Sequence, residues 1–300
     1  MEKRKKKLFS RIINKTFNFW EKLGIHITPD HYYSPIPNVS LLNDKLWEKT
    51  LDVPGINFNE QEQKELIHLL TKKYKKEING YLLKELKKEN YKIYSREFSI
   101  VDSEMLYYMI RNNKPKRIIE IGSGYSTLIL YKSIIKNMKE DRNYLCELIS
   151  IDPYPNRDLL NIIRTNYFKI IPEKVQDVKK SFFQELEEKD FLFIDSSHVL
   201  KIGSDVQYEY LEILPIINKK VIIHCHDIFF PSEYPKNWIR DEHRFWNEQY
   251  LLQAFLAYNT SFKILWAGSY MHLKNQELLK KNLQTYKKES WPISFYFQRI

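Results

Sequence analysis

The stretch Ile118-Ile119-Glu120-Ile121-Gly122-Ser123-Gly124-Tyr125-Ser126-Thr127 carries an apolar strand into a tight turn and directly on into a helix. Gly122 can take a positive φ in such a turn, and Gly124 leaves the backbone open to a close ligand. The third glycine of a dinucleotide fingerprint is missing, because Thr127 stands in its place, and no lysine follows as a phosphate-binding loop needs. A phosphate-free ligand is therefore favoured over a nucleoside triphosphate.

Outward from this turn, short apolar runs alternate with helical stretches. Strands are expected at 116–121, 148–152, 174–178, 191–195, 221–225, 262–267 and 294–298. Helices are expected between them at 103–112 (capped by Ser103), 126–139, 157–165, 181–188, 205–213 and 246–257. That alternation predicts an α/β fold of βαβ units around a mostly parallel sheet covered on both faces. Upstream, residues 60–90 read as helical, with leucines for burial and a solvated face of lysine and glutamate. Residues 1–97 are thus expected to form a mainly helical N-terminal extension and residues 98–300 the α/β domain.

In an open α/β sheet the C-terminal strand ends face the ligand crevice. Asp152 ends the second strand, where an acid can accept hydrogen bonds from both hydroxyls of a ribose. Gln176 and Asp177 end or follow the third; Asp177 faces an adenine amine or caps a turn. The fourth strand runs into Ile194-Asp195-Ser196-Ser197-His198, and the fifth into His224-Cys225-His226-Asp227. Strand alternation puts His224 and His226 on one face and Cys225 on the other. Asp195, His226 and Asp227 offer oxygen and nitrogen ligands to a divalent ion, with Mg²⁺ keeping several waters. Zn²⁺ is chemically compatible with His198 or His226, although no closed structural zinc pattern is present. Without an ion, His198 can take a proton from a hydroxyl as general base. Phe229 to Pro235 reads as an aromatic loop over the crevice, and Glu248 and Gln249 as contacts to an acceptor.

These segments together resemble the class I S-adenosylmethionine-dependent methyltransferases, over roughly residues 98–300. The family's acidic strand end followed by GxG matches Glu120, Gly122 and Gly124, and its ribose acid matches Asp152; Ser126 replaces a common third glycine. The resemblance implies a seven-stranded Rossmann-like sheet with the last strand reversed, S-adenosylmethionine as cofactor, and cofactor contacts from Glu120, Gly122, Ser123, Gly124, Ser126, Asp152, Gln176, Asp177 and Asp195. The strand-end cluster is similar to that of metal-assisted O-methyltransferases of bacterial sugar and natural-product tailoring. It implies Mg²⁺ or another divalent cation on Asp195, His226 and Asp227, with Asp195, His198 and His226 as catalytic groups. His226 stands where that family more often has an acid or amide. The implied substrate is a small hydroxylated acceptor, a sugar or glycan precursor. A nicotinamide-dependent oxidoreductase or epimerase is the competing reading, weakened by the incomplete glycine fingerprint; a non-catalytic binding protein keeping the fold is another.

Charge and composition bound the rest. The chain of 300 residues has a formal net charge of +10, but residues 1–15 hold seven Lys or Arg against one Glu, and the other 285 carry only +4. No basic block crosses the catalytic part, so a nucleic-acid partner is not expected. No run approaches the 18 apolar residues of a membrane span. Residues 1–23 instead read as a basic, amphipathic helix suited to peripheral membrane contact. Two cysteines, Cys146 and Cys225, exclude a disulfide-rich scaffold and favour a reducing compartment, hence a cytoplasmic location with contact at the inner membrane face. Oligomeric state is open, a homo-oligomer being compatible with the sequence.

Overall fold

The computed structural model describes residues 2–89, 98–156, 161, 163 and 165–300, with side chains from residue 9 onward. The helix expected at 157–165 lies largely outside the described residues. Two compact units emerge: Met1–Lys49 with Tyr234–Phe245, and Thr50–Glu233 with Trp246–Ile300. In the first, the helix Glu2–Lys22 is followed by loops, and Phe17 of the helix stacks on His26 beyond its end. Asp44 there pairs with Lys236 and Arg240, and the Arg240 guanidinium lies 5.3 Å from the Trp47 ring centroid.

The second unit holds the sheet. Its strands are β1 (Arg117–Ile121), β2 (Glu147–Ile151), β3 (Phe168–Ile171), β4 (Phe191–Ile194), β5 (Ile222–Cys225), β6 (Phe262–Ala267) and β7 (Phe295–Arg299). They lie in the order β3-β2-β1-β4-β5-β7-β6. All neighbours run parallel except β7, which is antiparallel to both β5 and β6. Pleat alternation splits the core between two faces: Phe191 and Phe193 of β4 enter one cluster, Leu192 and Ile194 the other. The expected alternation holds on β5 as well. Cys225 joins the second cluster, while the His224 ring is stacked between Phe193 and Tyr296 at 4.1 and 4.0 Å.

Helices cover both faces. Ile67, Leu70, Ile78, Leu82 and Leu86, from the helical run Glu60–Lys88, share the first core with Leu106, Ile110 and Ile129. The fully buried Arg111 ties three helices together through Glu77, Asn137 and Glu140. At the β6 edge, Asn59 Nδ2 donates to the Ile264 carbonyl and the Ala267 N–H donates to Gln63 Oε1.

Two local expectations need correction. The helix expected from Ser103 is capped by Ser99, whose side chain accepts from the Asp102 N–H; Ser103 lies inside it and donates to the Ser99 carbonyl. The third strand is Phe168–Ile171 rather than 174–178. Pro172 has no N–H to continue the ladder, and Val175–Asp177 forms a 3₁₀ turn instead. Of the aromatic loop expected over the crevice, Phe229 and Phe230 are buried, with Phe230 packed on Phe58 and Phe295.

Candidate active site

The turn after β1 is built around Gly122. Its φ is +97°, and a Cβ there would collide with the Asp195 carbonyl oxygen at the end of β4. The Gly122 N–H donates to the Ile151 carbonyl and the Asp195 N–H to the Ile121 carbonyl, so three strand ends meet at this point. Gly124 is different: its φ of −179° suits any residue, and a Cβ would meet no protein atom. The space beside it is open.

Behind the turn, Glu120 is fully buried and accepts from Ser126 Oγ and Thr127 Oγ1 at 2.7 Å and from Ser150 Oγ at 2.6 Å. It fastens the helix Tyr125–Glu140 and β2 to β1. Burial pushes its carboxyl from the ordinary 4.5 up to about 7, the three hydroxyls only partly opposing it. A folded pKa raised above the unfolded one favours the protonated group in the folded chain. Its contribution to stability is therefore present below pH 4.5 and lost as pH rises through 7, a loss of about 3 kcal/mol. Glu120→Gln is expected to flatten that slope; denaturant unfolding of both proteins at pH 5 and pH 8 measures it, and an unchanged slope refutes the assignment.

An open cleft of about 550 Å³ runs along the C-terminal ends of β1, β2 and β4. Gly122, Ser123, Asp152, Gln176 and Asp195, all expected cofactor contacts, line it. Asp152 is oriented from both sides, by the Ser123 hydroxyl and by the Tyr154 N–H at 2.8 Å, and Gln176 Nε2 donates to the Gly203 carbonyl. Ser196, Ser197, Lys201 and Asp205 make the far wall polar. Four expected contacts do not line the cleft: Glu120, Gly124, Ser126 and Asp177. Glu120 and Ser126 are buried behind the turn and bonded to each other, and Asp177 is exposed on the 3₁₀ turn.

Asp195 also belongs to a second constellation. Its Oδ1 lies 3.4 Å from His198 Nε2, which is 3.3 Å from Asp227 Oδ2, and one ligand atom from each of the three falls within 4.8 Å of the others. His198 and Asp227 adopt φ of +60° and +57°, left-handed conformations that cost non-glycine residues energy and turn both side chains off their strands. The helix Glu248–Leu256 fixes His198 twice. The Asn247 and Glu248 N–H groups donate to its carbonyl, and its Nδ1–H donates to Glu248 Oε2 at 2.7 Å. Tyr210 holds the other Glu248 oxygen, also at 2.7 Å, and Trp246 lies 4.3 Å from the imidazole. With Nδ1 engaged, Nε2 is the nitrogen left facing the two aspartates.

His226 is fully buried beside this group rather than one of its three mutually close members. Its Nδ1 is 3.8 Å from Asp195 and 3.5 Å from Asp227, its Nε2 is 3.8 Å from Asp102, and it stacks on Phe98. Burial alone would lower both histidines. For His198 the carboxylates of Asp195, Glu248 and Asp227 outweigh it, and for His226 those of Asp227, Asp102 and Asp195 do, so both lie well above the usual histidine value. Four carboxyl groups thus surround two imidazoles, a formal excess of two negative charges even with both rings protonated. A divalent cation answers that excess, and a carboxylate–histidine–carboxylate set backed by Glu248 is chemically suited to one.

Sequence reasoning missed two supports. Asp102, fully buried in the helix Ile100–Asn113, accepts from the Ile293 and Ser294 N–H groups as well as facing His226. Glu248, expected as an acceptor contact, is buried and spent on His198 and Tyr210. Its only sequence signal is an acid in the first turn of a helix. Gln249 is likewise buried, accepting from the Phe229 N–H.

Comparison with known proteins adds the following. A family described as a methyltransferase domain matches residues 119–228. An uncharacterized protein of Archaeoglobus fulgidus is 31% identical over 192 residues, which is 61% of this chain and 83% of that one. Among solved structures, an O-methyltransferase from Bacillus cereus in complex with SAH is 12% identical with a TM-score of 0.39, covering 80% of this chain and 91% of its own. The TDP-rhamnose 3′-O-methyltransferase of calicheamicin biosynthesis is 12% identical with a TM-score of 0.43, covering 80% and 93%.

Proposed function

The chain belongs to the class I S-adenosylmethionine-dependent methyltransferases, and from that premise we propose that it methylates a hydroxyl of a small acceptor, a sugar or glycan precursor, with help from a divalent cation. One observation carries the reading: Asp195 lines the cofactor cleft and is also one corner of the Asp195–His198–Asp227 cluster. The methyl donor and an oxygen-activating group would thereby be held at neighbouring strand ends.

S-adenosylmethionine supplies a methyl carbon on a positively charged sulfur. With the donor bound, the hydroxyl oxygen would take the methyl carbon, the carbon–sulfur electron pair would leave on the neutral thioether, and the hydroxyl proton would pass to the Asp195 or Asp227 carboxylate. Asp152, fixed by Ser123 and the Tyr154 N–H, receives ribose hydroxyls. Gly122 keeps the cleft floor beside Asp195 free of a side chain. Asp195, His198 and Asp227 would hold Mg²⁺ or another divalent ion, which would supply Lewis acidity toward the acceptor hydroxyl. His226 lies close enough to Asp195 and Asp227 to adjust their charge while Glu248 keeps His198 in place. The polar wall of Ser196, Ser197, Lys201 and Asp205 suits a polyhydroxylated acceptor, and alignment at this surface is most of what the protein has to contribute.

The test is calorimetric titration of the full chain with S-adenosylmethionine, its demethylated product, NAD and ATP, each with and without Mg²⁺. Binding of the first two but not the last two is expected. Failure of both sulfur compounds to bind folded protein overturns the cofactor assignment, and preferential binding of NAD would favour an oxidoreductase.

A further inference from the structure

The first unit carries a feature that methyl transfer does not use. On the helix Glu2–Lys22 and the residue after it, Phe9, Ile12, Phe19 and Leu23 are 65%, 52%, 59% and 58% exposed. With Thr16 they follow a 3-4-3-4 spacing, which at 3.6 residues per turn confines them to about 80° of the helix surface. Thr16 leaves no polar gap in the stripe: its hydroxyl donates to the Ile12 and Ile13 carbonyls and accepts from Trp20 Nε1. A neighbouring face, with Ile13 buried and Phe17 and Trp20 half-buried, is the one that packs. The helix therefore has two apolar faces and covers only one.

Charge identifies what the open face fits. Arg11, Lys15 and Lys22 border the stripe on the side away from the packed face, and the sequence before Phe9 adds Lys3, Arg4, Lys5, Lys6 and Lys7 against Glu2 alone. Two copies paired through the stripe would set these cationic borders against each other. An anionic bilayer surface accepts both properties together, taking aromatic and aliphatic side chains into the headgroup boundary and the basic groups against lipid phosphates. We propose that this helix is an in-plane anchor that docks the chain on an anionic phospholipid surface.

The experiment is flotation of the full chain with vesicles of phosphatidylglycerol and phosphatidylcholine in equal parts, or of phosphatidylcholine alone. Phe9→Ser/Phe19→Ser keeps the charge and removes two exposed rings; Arg11→Gln/Lys15→Gln does the reverse. Unchanged melting temperatures establish that both variants fold. Wild type is expected to float with the anionic vesicles at low salt and to lose that binding at high salt. Removing the two rings is expected to lower partitioning by at least about tenfold. Removing the two charges is expected to lower it by about fivefold or more. The proposal is overturned if wild type does not float with anionic vesicles or floats equally with neutral ones. It also fails if the ring-less variant binds as wild type. Sedimentation velocity decides against it if the stripe instead forms a dimer that Phe9→Ser/Phe19→Ser abolishes. None of these readouts depends on methyl transfer, so the site assignment stands or falls separately.

Discussion

Asp195→Ala is expected to weaken divalent-ion binding by more than about 100-fold, whereas Glu248→Gln is expected to weaken it by about 10–100-fold. The ranking follows from position. Asp195 is one of three groups whose ligand atoms lie within 4.8 Å of one another, so in the proposed cation site its loss would remove a direct ligand. Of the cluster, Glu248 touches only the far nitrogen of His198, and a neutral amide there would hold the ring less firmly without removing a donor. Titration with Mn²⁺, followed by loss of its free spectroscopic signal, measures both variants. Folding is a minor concern for Asp195→Ala, because that side chain is 26% exposed, and glutamine at 248 keeps the shape and a hydrogen bond. Methyl transfer should fall in the same order. Ion affinity unchanged by Asp195→Ala would show that the cluster holds a proton network instead.

Gly122→Ala is expected to cost about 2–5 kcal/mol of stability, from a side chain at positive φ together with a clash. The φ is +97° and the obstacle is the Asp195 backbone carbonyl, which cannot swing aside as a flexible side chain can. Relief requires β1 and β4 to part at the cleft, so binding of S-adenosylmethionine should fall with stability. Gly124→Ala separates the two effects. Its extended backbone and empty surroundings predict near-normal unfolding, so any loss of affinity in that variant reports the ligand itself. Chemical denaturation and calorimetry on both proteins make the measurement. Equal stability of Gly122→Ala and wild type would contradict the geometry.

How far the sequence could be read depended on whether a signal was local. The β1 turn was legible because its apolar run, its glycines and the following helix are contiguous. Asp152, Asp195 and Asp227 were legible as acids at the ends of apolar strands. β3 was misplaced because a half-exposed edge strand has weak hydrophobic contrast, and the stop imposed by Pro172 lay between the true strand and the predicted one. The histidines show a subtler limit. Period-two alternation correctly sent His226 into the sheet's face, where it is wholly buried. His198 approaches the aspartates only because its backbone turns left-handed, a conformation that no neighbouring residue announces. Its partner Glu248 is 50 residues away and is brought near by packing of a different helix. Apolar patterning carries no information of that kind.

The sheet's two borders bear on how this protein meets copies of itself. An unguarded outer strand offers a row of free amide and carbonyl groups to any other strand, which is how chains zip into fibres. At one border β3 is only four residues long, carries an exposed Lys169 paired with Glu147, and is followed by a proline. At the other, side chains of Asn59 and Gln63 already occupy hydrogen-bonding groups of Ile264 and Ala267. Both borders thus discourage recruitment of a foreign strand. Crowding the protein at high concentration should therefore not favour strand-by-strand aggregation.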